Sequence, residues 1–202
     1  AIVLDGGTDG LDAQLNRANQ FGMSYILGMV TTPDSVNNVT SFINQSIDRD
    51  MIPIVRLCFA SERGCDPRFR DEQTIIDFYT EVTRGANDVY IAMVGPNEPG
   101  TAASDEPGAR AEMFGFVEEQ DITSGYNQVI EETNRVASAL QSLRENGKVL
   151  LAPGAFNLLN PENNDVNEYF SGPVTLNVSL FDVVLVNTYE LAGGTAYGSY
   201  AN

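Results

Sequence analysis

The chain is 202 residues long with 43% hydrophobic residues, enough for one domain with a full apolar core. It carries 28 acidic against 11 basic residues, a formal net charge of −17, which repels phosphate backbones and anionic membranes and leaves nucleic acid and membrane as poor partners. Histidine and tryptophan are both absent, which excludes Ser-His-Asp and Cys-His nucleophilic sites and removes the commonest nitrogen ligand of zinc; neither a metal nor an organic cofactor is expected.

No apolar run approaches the roughly 20 residues that a membrane-crossing helix needs. The chain starts directly in the strand-like Ala1-Ile2-Val3-Leu4, so a removed signal peptide would leave no mark. From there short apolar runs alternate with helical patterns, as in parallel βα units. Strands are expected over residues 1–4, 24–30, 52–57, 89–94, 149–152 and 181–186. They are rich in Val, Ile and Leu with little polar alternation, as befits strands covered on both faces.

Between the strands, helices carry start and stop signals. Leu11, Leu15, Ala18 and Phe21 define a short helix after the first strand. Thr32 suits an N-cap with Pro33 at the first helical position, followed by a stripe of Val36, Val39, Phe42, Ile43 and Ile47. Asp71 caps the next helix, whose inner face is Ile75, Ile76, Tyr79 and Val82. The longest helix is expected over residues 123–146, with Tyr126, Val129, Ile130, Thr133, Val136, Ala137, Leu140 and Leu143 inward and Gly147 at the left-handed stop. Six strands with five connections point to an open or incomplete barrel within a single domain, residues 1–202. A Gly/Pro/acid-rich insertion over residues 100–120 follows the fourth strand, on the face where barrel enzymes keep their sites; it either shapes a site or is a solvated loop.

Cys58 and Cys65 lie seven apart, just after the third strand, either as a disulfide closing that loop or as two free thiols. Sequons at Asn38, Asn44 and Asn177 lean the same way as a disulfide, towards an extracellular, glycosylated protein. Arg63, Arg68 and Arg70, set among Glu62, Asp66 and Asp71, read as a surface ion-pair network or as a site for anionic sugars.

The sharpest chemical signal is the run from Val89 to Val94 leading through Gly95-Pro96 into Asn97-Glu98-Pro99. A buried strand there delivers a carboxylate to its C-terminal tip, and Pro99 biases Glu98 towards an extended backbone. A glutamate partly desolvated beside apolar walls keeps its proton to higher pH and suits general-acid work. The alternative is an exposed loop carboxylate.

This strand followed by Asn-Glu-Pro resembles the clan of retaining glycoside hydrolases built on (β/α)8 barrels. The resemblance implies an α/β, TIM-barrel-like fold of which the chain holds about six βα units. It implies Glu98 as the acid/base and Asn97 as the contact to the sugar 2-hydroxyl. A second run, Phe181-Asp182-Val183-Val184-Leu185-Val186-Asn187-Thr188-Tyr189, is similar to the sixth strand of the same clan and implies Asn187 and Tyr189 at the rim of the sugar site.

Retaining hydrolysis needs two carboxyl groups roughly 5–5.5 Å apart. In the clan the nucleophile follows the seventh strand, and the chain ends at Asn202, about a dozen residues beyond its sixth. Glu190 stands after the wrong strand and Asp5 is a weaker candidate, so the nucleophile is expected outside this chain, on a segment or another polypeptide that completes the barrel. Arg56, ending the third strand, either reaches the substrate or pairs with acids at the rim. Phe156 and Tyr189, each just past a strand, either stack on a sugar or pack in the protein. The expectation is a secreted glycoside hydrolase acting on a carbohydrate; the other reading is a non-catalytic carbohydrate-binding or extracellular structural protein on the same barrel.

Overall fold

Val, Ile and Leu concentrate in short runs, and in the computed structural model, which describes residues 2–4, 10–58, 65–96, 122–157 and 169–187, those runs become parallel strands. The strands β1 (Ile2–Val3), β2 (Tyr25–Val30), β3 (Ile52–Leu57), β4 (Tyr90–Met93) and β5 (Val149–Ala152) form one sheet in the order β1-β2-β3-β4-β5. Each pairs in parallel with the next, and Leu27, Ile54, Ile91 and Leu150 stand in one row across it. The architecture is α/β with a parallel sheet.

The connecting helices are α1 (Leu11–Gln20), α2 (Val36–Ile47), α3 (Glu72–Gly85), α4 (Ile122–Ala139) and α5 (Gln141–Glu145). Side chains alternate across the strands, so Val30, Val55, Leu57, Ala92, Val94 and Leu151 face the helices. There they join Leu15, Phe42, Ile43, Tyr79, Val82 and Val136 in the main core. The opposite face carries Ile54, Ile91 and Ala152, with Leu27, Leu150, Val183 and Leu185 packed against them. Cover on that face is uneven: Tyr25 is 57% and Ile52 39% exposed, whereas both faces of the expected strands should be shielded.

Start signals act as their chemistry dictates. The Thr32 hydroxyl accepts from the Asp34 N–H at 3.3 Å, opening a 3-10 turn at Pro33–Ser35 that runs into α2. The Asp71 carboxylate accepts from the Thr74 N–H at 2.8 Å and caps α3. Gly147 takes φ 74°, the left-handed value expected of a stop.

Three expectations are corrected. Phe21 is 72% exposed: α1 ends at Gln20, and the Phe21 N–H closes onto the Arg17 and Ala18 carbonyls, which turns the ring off the buried stripe. The helix expected over residues 123–146 is divided at Leu140, where the side-chain amide of Gln141 takes the Ala137 carbonyl at 2.8 Å and reaches the Leu180 carbonyl at 3.2 Å. The last strand begins at residue 185 rather than 181. Asp182 is the cause: its carboxylate accepts the Leu151 N–H at 3.0 Å while its own N–H goes to the Leu151 carbonyl at 2.9 Å, so a side chain fills a ladder position. Arg144 holds that carboxylate at 2.8 Å.

Beyond β5 the chain turns at Pro153-Gly154 and resumes as β6 (Ala155–Asn157), which pairs in parallel with β7 (Leu185–Asn187) as a separate two-stranded ladder. Pro153 has no N–H to donate, and Gly154 sits at φ 149°, outside the range of ordinary residues. These two residues separate the ladders.

Candidate active site

The C-terminal ends of β3, β4 and β5 meet around the backbone that precedes Asn97. Val94 continues the pairing of β4 by donating to the Ala152 carbonyl at 2.9 Å. One residue on, the backbones approach so closely that any side chain at Gly95 would overlap the Pro153 carbonyl oxygen. The contact is reciprocal: a Cβ on Gly154 would lie 2.5 Å from the Pro96 carbonyl oxygen. Gly95-Pro96 and Pro153-Gly154 therefore interlock, and only glycine permits it.

Two helical side chains support this junction from behind. The hydroxyl of Tyr79, fully buried on α3, donates to the Met93 carbonyl at 2.9 Å and lies 3.4 Å from the Val55 carbonyl, joining the ends of β4 and β3. Burial, aided by the neighbouring Tyr90, holds the Tyr79 phenol well above its usual pKa, so it remains a donor. Tyr90 is likewise pushed up by burial, against the opposing effect of its hydrogen bond with Thr83 at 2.9 Å. Thr133 of α4 is buried with its Oγ1 3.0 Å from where a Gly95 Cβ would stand. That hydroxyl finds no hydrogen-bond partner among the described residues.

Arg56 is half-buried near the end of β3, opposite Met29 of β2 and Met93 of β4. Asn187 is the last residue of β7, and its register partner is Asn157 at the end of β6. The parallel pairing thus brings two asparagine backbones together at one strand edge, and the second was not singled out by motif. Glu98, Asn97 and Tyr189 lie outside the described residues, as do Asp5, Arg63 and Glu190. Among the described residues no three Cys, Asp or Glu side chains gather as a metal would require.

Phe156 packs rather than stacks on a ligand. It is 1% exposed and meets Tyr169 edge-on at 4.9 Å, in a second core with Val129, Ile130 and Leu176.

The loop that leaves β3 is tied at its base. Cys58 and Cys65 are joined as a disulfide with Cα atoms 5.6 Å apart, packed against Met29. The Asp66 N–H then donates to the Thr31 carbonyl at 2.6 Å, linking this loop to the end of β2. Arg68 pairs with Asp66 at 2.6 Å and with Asp34 at 2.7 Å. Hydrogen bonds from the Arg68 side chain and backbone hold the Asp66 carboxyl down at about 2, and the same guanidinium lowers Asp34. The ion-pair reading of this arginine run therefore describes Arg68.

The sequon amides differ in their surroundings. Asn44 bridges two helices: its Nδ2 donates to the Gly85 carbonyl at 3.2 Å and its Oδ1 accepts from the Asn87 N–H at 2.8 Å. Asn38 donates to the Leu4 carbonyl at 3.0 Å. Asn177 is exposed, and among the described residues its side chain engages Ser179 through Oδ1. No described helix is long and apolar enough to cross a membrane.

No family model matches the chain, nor does any curated protein sequence. Among solved structures, a β-glucosidase from Thermotoga maritima in complex with methoxycarbonyl-substituted glucoimidazole is similar over 74% of this chain and 38% of its own, at 12% identity and a TM-score of 0.49. The same organism's β-glucosidase in complex with noeuromycin gives 12% identity and a TM-score of 0.48 over 75% of this chain and 37% of its own. A family 1 β-glucosidase from that organism gives 13% and 0.44, over 74% and 38%. The chain spans about two-fifths of the length of these structures. Likenesses this shallow carry no chemistry across, and the site rests on its own geometry.

Proposed function

We propose that this chain carries the acid/base half of a retaining glycoside-hydrolase site on a TIM-barrel-like scaffold. Glu98 is the proton donor to the glycosidic oxygen and then the base that deprotonates water, and Asn97 is the contact to the 2-hydroxyl. Arg56, Asn187 and Tyr189 line the sugar pocket, and the nucleophile comes from a further segment or another polypeptide that completes the barrel. The observation that carries this reading is the Gly95-Pro96/Pro153-Gly154 interlock, which fixes backbone two residues before Glu98 at the C-terminal end of a parallel sheet. Active sites of parallel α/β folds lie at that end.

A backbone held by glycine contacts, a buried tyrosine and a strand hydrogen bond meets the demand of general-acid catalysis for a fixed proton donor. The disulfide supports secretion, since such bonds persist in oxidising compartments. Asn177, the exposed sequon, is the favoured glycosylation site of the three.

The test is turnover of a panel of aryl glycosides by the natural protein beside its Glu98→Gln variant. Turnover lost in the variant supports the assignment. Saturable glycoside binding with no turnover in either would favour a carbohydrate-binding protein on the same scaffold, and equal turnover in both would remove Glu98 from the mechanism.

A further inference from the structure

Lys148 is the only lysine in a chain of net charge −17, and it stands immediately before β5, at the end of the sheet opposite the candidate active site. Its ammonium donates to the Ala86 carbonyl at 2.8 Å, just past the end of α3. That contact suits the negative end of a helix and uses one of three N–H donors.

Arg84, in the last turn of α3, binds both oxygens of Glu81 through Nη1 alone, each at 2.5 Å. Its Nε–H and Nη2 hydrogens have no acceptor among the described residues. Lys148 and Arg84, with Thr80, Thr83, Leu143 and Asn146, line an open cleft of about 400 Å³ between α3, α5 and the start of β5.

The chemistry of that lining is one-sided. The Thr80 and Thr83 hydroxyls already donate to the Ile76 and Tyr79 carbonyls, each at 2.7 Å, and so form the wall. Among the described residues, the side-chain donors left over in the lining belong to Lys148, Arg84 and the Asn146 amide. Glu81 engages one edge of Arg84, no carboxylate is among the lining residues, and Lys148, Arg84 and Glu81 together leave one net positive charge in a strongly acidic molecule.

We propose that this cleft binds a small tetrahedral oxyanion of the phosphate or sulfate class. Lys148 serves as the point charge and the free edge of Arg84 as the directional donor. An affinity on the order of 1 mM fits a few charge-assisted hydrogen bonds in a solvent-open site. The proposal is independent of the carbohydrate reading and needs no turnover to test.

Sodium phosphate is titrated into the full chain against sodium chloride at matched ionic strength, following backbone amide shifts by two-dimensional nuclear magnetic resonance. Saturable shifts centred on Thr80, Arg84, Asn146 and Lys148 are expected from phosphate and not from chloride. Arg84→Gln and Lys148→Met should each weaken binding about tenfold. Because Lys148 also caps α3, the exposed Arg84→Gln variant decides the matter if Lys148→Met loses its native spectrum. Equal shifts from chloride, no saturable phosphate shift, or phosphate binding unchanged in Arg84→Gln would each overturn the site.

Discussion

Tyr79 shows how much of this molecule turns on single hydrogen bonds. Its wholly buried hydroxyl satisfies the Met93 carbonyl where β4 ends. Tyr79→Phe should destabilise the protein by about 1–2 kcal/mol, read as a lower urea midpoint with an unchanged slope. The Arg68 cluster yields a pH signature. Asp66 is held at about 2 against an ordinary 3.8, so its contribution is present above the ordinary value and is lost as pH falls through the lowered one. The gap in melting temperature between wild type and Arg68→Ala should stay constant above about pH 5 and close towards pH 2. A gap that widened on acidification would contradict the pairing. Residues of this kind were only partly legible in the sequence. Thr32, Asp71 and Gly147 could be read because capping is local chemistry. The Tyr79 bond could not, because its partner carbonyl is 14 residues away on another element. Asp182 falls in an apolar run with the pattern of a strand, and nothing local shows that its carboxylate replaces a ladder partner.

At the scale of elements, β1 through β5 were readable as apolar runs, and their parallel order follows from the alternation with helices. The sequence could not show how closely the ends of β4 and β5 approach. Gly95-Pro96 and Pro153-Gly154 stand out individually as breakers, but their interlock is a long-range fact. Gly95→Ala is expected to cost roughly 1–3 kcal/mol, because the added methyl meets backbone that cannot rotate away. Gly95 does not lie at positive φ, so its cost is one of contact; Gly22→Ala, at φ 70° with open space around its Cβ position, measures the cost of conformation alone. Chemical denaturation of the two variants checks this; a Gly95→Ala protein as stable as wild type would contradict the close approach of Pro153. The candidate site was less legible than the sheet. The register brings Asn157 beside Asn187, a pairing no motif announced, while Phe156 proved to be core because β6 turns it towards Tyr169.

For the whole molecule, the sheet face opposite the helices and the disulfide loop matter most. Tyr25 and Ile52 remain exposed on a face where parallel sheets are normally covered on both sides. On the proposed reading further strands, of this polypeptide or another, lie over that face, and native mass spectrometry of the natural protein should give a particle above the 21.9 kDa of this chain. The Cys58–Cys65 bridge closes a short loop, so the Cys58→Ser/Cys65→Ser double variant should lose about 2–3 kcal/mol by chain-entropy reasoning. Thermal melts with and without reductant check this, since the double variant should be blind to the reductant.

The central claim is that Glu98 hands a proton to a departing alcohol. It is tested most directly by comparing Glu98→Gln with wild type in the natural protein on two glycosides of one sugar, with a phenol and a dinitrophenol as leaving groups. The claim predicts that the phenyl glycoside, which needs protonation, slows by about 10²–10⁴-fold, while the dinitrophenyl glycoside, which needs little, slows far less in its bond-breaking step. Equal slowing of that step for both substrates, or none for either, would contradict it.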